Sequence, residues 1–333
     1  MNIVYVSNEK YVPHLAASIC SVCDNNRKET VLDFYVISTG ITEDSLRKLA
    51  ALCSSYGRNL TVSDLHDIEN RIPEKDSAFI SKFDISILGR FFLSELLPED
   101  IDKVLYLDCD TIVTSSLSGL YNSLPEDGKI IAAVMEPTIY KKTKQMLGMN
   151  PDDPYFNSGV LLIDLKLWRA AEVDEKLREY FDSISRESIF ADQDAINGLL
   201  KGQIKSVSPK YNFFTNYRYF DRNTLVNTDS SYSEITEEEF ESSRRNPAVI
   251  HYCGDERPWV HGNHNPFKKE YYKYLDMTEW KDTPEETGKE KYMFLYHIMN
   301  VSTKAFPAVR KTISDTYSKK LYKNENRSNN SKS

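Results

Sequence analysis

Val104-Leu105-Tyr106-Leu107-Asp108-Cys109-Asp110-Thr111-Ile112-Val113 is a short apolar run that stops in two carboxylates and then resumes. A strand ending at Asp108 would put both acids at a carboxyl edge, where ligands sit in open α/β sheets. Carboxylates at i and i+2 can converge on one cation if the chain turns between them. Hard divalent ions choose oxygen ligands, and Mg²⁺ or Mn²⁺ commonly combine one or two carboxylates with substrate phosphates. The stretch therefore reads as an Asp-x-Asp site for a metal and a diphosphate. A solvated turn is the alternative, since aspartate also favours turns.

The rest of the first half alternates strand and helix signals. A strand around Val4 precedes a helix from Tyr11 to Asp24, and a second strand from Val31 to Ile37 precedes a helix from Glu43 to Tyr56 that closes at Gly57. A third strand covers Asn59 to Val62, and a helix from Ile85 to Leu97 is stopped by Pro98 just before the Asp108 strand. Such alternation predicts an α/β fold, a mostly parallel sheet flanked by helices. Further strands are expected at Ile130–Val134, Gly159–Ile163 and Ala248–Tyr252, with helices at Asp174–Ile184 and Asp192–Leu200. Tyr211 to Arg245 is polar, aromatic and weakly periodic, and reads as long connections around a site. No G-x-G-x-x-G follows the first strand and no G-x-x-x-x-G-K-[ST] occurs, so a metal would have to do the phosphate binding.

Composition bounds the partners. The 333 residues suffice for a substantial core, and the net charge of −8 argues against a nucleic-acid binder. From Lys289 onward about ten basic residues face about three acidic ones, so the body is more acidic than the total. The chain opens at once on a strand-like run without a basic leader, and no apolar stretch nears the ~20 residues of a membrane span. The five cysteines are scattered, and Cys20 and Cys23 fit helix packing better than zinc binding for want of a second pair. Reduced thiols and a cytoplasmic address are expected. Trp168, Trp259 and Trp280 read as packing residues.

Five segments in order carry a resemblance. They are Ile3-Val4-Tyr5-Val6-Ser7-Asn8 with Tyr11, Asp108-Cys109-Asp110, Tyr155-Phe156-Asn157-Ser158-Gly159-Val160-Leu161-Leu162-Ile163, Ala191-Asp192-Gln193-Asp194, and His251-Tyr252-Cys253-Gly254-Asp255-Glu256-Arg257-Pro258-Trp259. With Arg90 ahead of the Asp108 strand, the set resembles a family-eight glycosyltransferase, similar to bacterial galactosyl- and glucosyltransferases of cell-surface saccharides. The likeness spans roughly Met1 to Leu275. It implies a GT-A (Rossmann-like) fold, a UDP-sugar donor (UDP-glucose or UDP-galactose), Mn²⁺ or else Mg²⁺, and transfer with retention to a saccharide or lipid-linked acceptor.

The resemblance also implies roles. Asp108, Asp110 and His251 would be metal ligands, with Cys109 between the acids. Asn157, Ser158, Asp192 and Gln193 would hold the donor sugar, and Asp192 and Gln193 are the catalytic candidates. Gln is a poor nucleophile, so front-face attack is favoured over double displacement. Arg90 would meet sugar hydroxyls or a phosphate, unless it forms a helix-surface ion pair. Gly254 would let the backbone approach the phosphates, and Arg257 stands where the family usually has Lys. Val6, Asn8 and Tyr11 would take the nucleotide base; the family typically has Asp at Asn8. A non-catalytic sugar-nucleotide or glycan-binding protein, and a sugar-nucleotide hydrolase or nucleotidyltransferase, are the alternatives.

The expected organisation is a GT-A domain over 1–280, a helical basic and aromatic segment over 281–323, and a disordered tail over 324–333. Tyr292, Phe294, Leu295, Ile298, Val301, Phe306, Val309, Ile313 and Tyr317 alternate with Lys291, Lys304, Arg310, Lys311, Lys319, Lys320 and Lys323. Basic, aromatic segments of this kind can lie on an anionic membrane surface. A helix packed on the body with a solvated basic face is the alternative.

Overall fold

In chain order the strands are β1 (Asn2–Ser7), β2 (Asp33–Ser38), β3 (Asn59–Asp64), β4 (Lys103–Leu107), β5 (Thr111–Val113), β6 (Ile131–Met135), β7 (Phe156–Asp164), β8 (Ile204–Ser206), β9 (Phe213–Phe214) and β10 (Val249–His251). The longer helices are α1 (Val12–Asn25), α2 (Glu43–Ser55), α3 (Val173–Ile184), α4 (Asp192–Leu199), α5 (Glu237–Arg245), α6 (Lys268–Leu275) and α7 (Glu290–Thr303). This computed structural model describes residues 1–66, 85–124, 128–137, 141–185, 187–306, 308–313 and 316. The expectations placed on Tyr317, Lys319, Lys320, Lys323 and residues 324–333 lie outside the described residues.

The main sheet runs β3-β2-β1-β4-β7-β6-β8, and a small sheet runs β5-β10-β9. Strands β3, β2, β1 and β4 are parallel, and β8 is parallel to β6. Strand β7 alone reverses, lying antiparallel to both β4 and β6. The sheet is thus mostly parallel, as expected, with one reversal that matters for the site.

The chain steps outward from β1 to β2 and β3, then returns to lay β4 on the other side of β1. That change of direction makes a crevice at the carboxyl ends of β1 and β4. Because β7 runs the other way, its first residues meet the last residues of β4. Leu107 pairs with Val160, and the Asp108 N–H donates to the Gly159 carbonyl at 2.8 Å.

Both faces of the sheet are covered. Ile3 and Tyr5 pack with Leu15 and Ile19 of α1 and Leu49 of α2 in one apolar cluster, whereas Val4 belongs to a second with Phe91, Trp168, Leu177 and Phe181. Alternate β1 side chains thus serve opposite faces, which is the period-two signature of a strand buried on both sides. Val173, Leu177 and Phe181, spaced four apart on α3, form its buried stripe. Each such side chain contributes about 1.5–3 kcal/mol on burial.

Two local expectations differ from the structure. Ile85–Phe92 is a 3₁₀ helix, followed by one α-helical turn at Leu93–Leu96. A Cβ on Gly89 would lie 2.4 Å from Val6 Cγ1, so this segment presses its backbone onto β1, and its tighter winding delivers Arg90 to the crevice. The stretch from Tyr211 to Arg245 is not only connections. It holds β9 and α5, whose Thr236 caps the Glu239 N–H at 3.1 Å, with Glu237–Glu239 in the first turn and Arg244 and Arg245 in the last. Those charges suit the helix dipole, and the Thr-Glu-Glu-Glu signal was in the sequence. Cys20 and Cys23 are buried in α1 as free thiols.

Helix α4 begins after Ala191, a non-glycine residue at φ 48°. Asp194 holds this entry. Its carboxylate accepts from Tyr155 Oη at 2.6 Å, Ser188 Oγ at 2.8 Å, and the Ile189 and Phe190 N–H groups at 3.0 Å. Asp194→Ala would strand those donors in a fully buried place, so we expect a loss of about 3 kcal/mol or more. Thermal unfolding checks this, and an unchanged melting temperature would contradict it.

Candidate active site

Three segments meet at the crevice, and backbone pairing fixes how. The end of β4 supplies Asp108 and Asp110. Strand β10 pairs with β5 so that His251 stands opposite Thr111, and the Tyr252 N–H donates to the Asp110 carbonyl at 2.9 Å. The start of β7 brings Asn157, Ser158 and Gly159 alongside. As a result His251 Nε2 lies 3.1 Å from Asp110 Oδ1 and 3.7 Å from Asp108 Oδ2. One ligand atom from each of the three lies within 4.8 Å of the others.

The donor set suits a divalent cation. Two carboxylates and an imidazole are a donor set that first-row divalent ions accept. The imidazole is oriented for it: Asn212 Nδ2 donates to Asn157 Oδ1 at 2.9 Å, so Asn212 Oδ1 accepts from His251 Nδ1–H at 2.9 Å and Nε2 faces the acids. Gly159 leaves the space: a Cβ there would sit 2.3 Å from His251 Cε1 and 2.7 Å from Asp108 Oδ2. Burial opposes the charge on His251, but Asp110 and Asp108 raise its pKa on balance. Burial also opposes ionisation of Asp110, yet His251 and Arg257 hold its carboxyl well below the usual range.

Arg90 is a buried bridge at the cavity wall and not a helix-surface ion pair. Its buried guanidinium bridges Asp108 Oδ1 at 2.9 Å and Asp192 Oδ2 at 3.0 Å, donates to the Ser158 carbonyl at 2.7 Å, and stacks over the Tyr106 ring at 4.4 Å. Burial works against that charge, but Asp192, Tyr106 and Asp108 more than offset it. Asp192 is less comfortable. Burial pushes its carboxyl up to about 6, Arg90 pulls the other way, and Asp108 adds to the rise.

Gln193 sits within an amide network. Its Oε1 accepts from Asn157 Nδ2 at 2.9 Å and the Ser158 N–H at 3.1 Å, and its Nε2 donates to Tyr155 Oη at 3.3 Å. Ser158 Oγ donates to Asp192 Oδ2 at 3.0 Å. Arg257 lies 3.9 Å from Asp110, with Tyr11 and Trp259 rings about it at 5.8 and 6.0 Å. Its Nε is buried with no hydrogen-bond partner among the described residues, an orphan donor that fits an anion. Gly254, at φ +64°, makes the turn ahead of it.

All the sequence-derived site residues except Asn8 line one cavity of about 900 Å³. Asn8 lies outside the lining, where its Oδ1 caps the Tyr11 N–H at 3.1 Å; Ser7 takes its place in the wall. Cys109 is buried, its thiol donating to the Val6 carbonyl at 3.3 Å, and burial pushes its pKa up. Burial likewise lifts Tyr11 to about 12. The sequence reading missed Glu136, whose Oε2 accepts from Asn157 Nδ2 at 2.9 Å. It follows an apolar strand as Asp108 does, so a signal existed. Asn212 gave none.

Comparison with known proteins defines the class. The profile of glycosyl transferase family 8 matches residues 2–262, and the chain belongs to that family. Galactosyltransferase LgtC, solved in complex with donor and acceptor sugar analogues, superposes with a TM-score of 0.69 at 27% identity, covering 84% of this chain and 96% of LgtC. The fold is GT-A-like. General stress protein A of Bacillus subtilis is 27% identical over 285 residues, 84% of this chain and 94% of its own length. Lipopolysaccharide 1,2-glucosyltransferase of Escherichia coli K12 is 27% identical over 293 residues, 87% and 81% of the two chains.

Removing a ligand or filling its space should have the same result. Asp110→Ala and Gly159→Ala are each expected to weaken Mn²⁺-dependent UDP binding at least about ten-fold, one by deleting an oxygen and the other by displacing His251. Calorimetry with UDP and Mn²⁺ tests both, and wild-type affinity in both would sink the metal assignment.

Proposed function

We propose that this chain is a metal-dependent, retaining hexosyltransferase. It moves glucose or galactose from UDP-glucose or UDP-galactose to a saccharide or lipid-linked acceptor in cell-surface glycan synthesis. The observation that supports this is the convergence of Asp108, Asp110 and His251 with Asp192 and Gln193 on one cavity of a family 8 chain. Asp108, Asp110 and His251 would hold Mn²⁺, or Mg²⁺, which when bound supplies Lewis-acid stabilisation of charge on the departing diphosphate.

The chain's own groups do the rest. Arg257 presents its unpartnered Nε and a cationic fork to phosphate oxygens, a bidentate grip where lysine would act as a point charge. Asp192 accepts from sugar hydroxyls while Arg90 holds it in place. The Gln193 carbonyl oxygen, held at the cavity wall by Asn157 Nδ2 and the Ser158 N–H, would place its dipole near the anomeric carbon and stabilise positive charge there without becoming a nucleophile. The C1–phosphate bond breaks as the acceptor oxygen bonds to C1 on the same face, and the leaving phosphate oxygen takes the acceptor proton.

A screen of UDP-sugars with Mn²⁺ for UDP release, with and without saccharide acceptors, tests the reading; no release from any donor would overturn it. Gln193→Ala should lower turnover at least about ten-fold while UDP affinity stays near that of wild type, because its contact is to the sugar centre. Normal turnover in that variant would remove its catalytic role.

The proposed organisation is a transferase domain over 1–280 and a membrane-docking segment over 281–323, on a cytoplasmic protein peripheral to the membrane. No helix among the described residues is long and apolar enough to cross a membrane. Helix α7, however, turns Met293, Asn300 and Thr303 inward while Phe294, Ile298 and Val301 stand 66%, 49% and 77% exposed. An apolar outer face beside Lys291 and Lys304 suits an anionic bilayer, where each basic residue is worth about 1 kcal/mol. Deleting α7 would be a poor test, since Tyr292 Oη donates to Asp255 Oδ2 at 2.6 Å and Tyr296 Oη donates to Glu256, both in the turn ahead of Arg257. The Phe294→Ser, Ile298→Ser, Val301→Ser triple variant should instead lose sedimentation with phosphatidylglycerol vesicles at low salt. Wild-type protein that ignores those vesicles would refute the docking.

A further inference from the structure

The cavity wall does not end where the family match ends. The profile covers residues 2–262, yet Tyr292, Leu295, Tyr296, Met299 and Ile313 also line the cavity. Three of these are aliphatic or thioether side chains with nothing to offer a nucleotide or a sugar hydroxyl. They are well placed to hold something: Tyr292 and Tyr296 tie α7 to the Gly254–Glu256 turn, and Asn300 accepts from Arg310 Nε at 3.1 Å, pinning the following segment. The Arg310 guanidinium, itself part of the lining, packs over the Tyr219 and Tyr296 rings at 5.6 and 5.8 Å.

Leu295 is 64% exposed, lines the cavity, and lies beside Phe294 and one turn from Ile298 on α7, so apolar side chains stand both in the cavity wall and on the outside of the helix. Monomeric proteins rarely leave such a surface to water. The same cavity wall holds apolar side chains, the Arg310 guanidinium and the polar residues around Asp192. Apolar, cationic and polar groups in one cavity match a hydrocarbon, a phosphate linkage and a saccharide.

We propose that the wall formed by Leu295, Met299 and Ile313 is an acceptor subsite for the aliphatic chain of a lipid-linked acceptor. This rests on the transferase reading above and narrows its acceptor to the lipid-linked class. The family-wide part of the chain then handles the donor, and the segment beyond it selects the acceptor.

The test compares methyl and n-octyl glycosides of the same sugars, below the micellar concentration of the octyl compounds, with the donor identified by UDP release. Octyl glycosides should show a KM about ten-fold lower than their methyl counterparts, as partial burial of the chain requires. The Leu295→Ser, Met299→Ser double variant, and separately Ile313→Ser, should shrink that difference; all three positions are at least partly exposed, so folding should tolerate them. Calorimetry of octyl and methyl glucoside against protein with UDP and Mn²⁺ reads the same preference if neither sugar accepts. Equal affinities for the two chain lengths in the wild type, or a preference that survives the variants, would overturn the subsite. Absence of UDP release from every donor would instead overturn the transferase reading, while the calorimetric comparison would still decide the subsite.

Discussion

Buried carboxylates have to be balanced, and Arg90 is where this protein does it. Asp108, Asp110 and Asp192 crowd one cavity, with Arg90, itself 4% exposed, lying between two of them. A charge buried without a partner costs several kcal/mol, whereas a bridged set with satisfied hydrogen bonds persists. The guanidinium also donates to the Ser158 carbonyl, so one side chain ties the 3₁₀ segment, the end of β4, the start of β7 and the first turn of α4. Asp192 remains pushed up to about 6 even so.

From the cluster of Asp108, Asp110 and His251 a chain of hydrogen bonds runs to the other end of the site. His251 meets Asn212, Asn212 meets Asn157, Asn157 meets Gln193, Gln193 meets Tyr155, and Tyr155 meets Asp194. Each member spends its donors and acceptors on its neighbours, which fixes the His251 tautomer and the Gln193 orientation together. Such a network makes the site a single unit. Disturbing Asn212, far from either end in sequence, would be felt at both.

The C-terminal helix changes how the molecule divides. A basic, aromatic stretch reads from sequence as something added after a finished domain. In the structure its tyrosines grip the turn ahead of Arg257, and Tyr292, Leu295, Tyr296 and Met299 help to line the cavity. The helix that carries the exposed stripe of Phe294, Ile298 and Val301 thus also contributes to the cavity wall through Leu295 and Met299.

The sequence by itself determined the alternation of strands and helices, the acidic strand end and the five ordered segments of the family, because hydrophobic period and local motif are properties of neighbouring residues. It determined that Asp108, Asp110, His251, Asp192 and Gln193 belong together only through the resemblance. Tertiary structure alone decided that Arg90 is a buried bridge, since a lone arginine on a helical pattern does not reveal what faces it. It decided that Asn8 caps a turn outside the cavity lining, that Asn212 orients His251, and that Gly159 is required by the imidazole beside it. These are contacts across 18 to 102 residues of chain, or choices among local conformations of equal merit, and they are settled only when β7 runs back against β4 and β10 closes on β5.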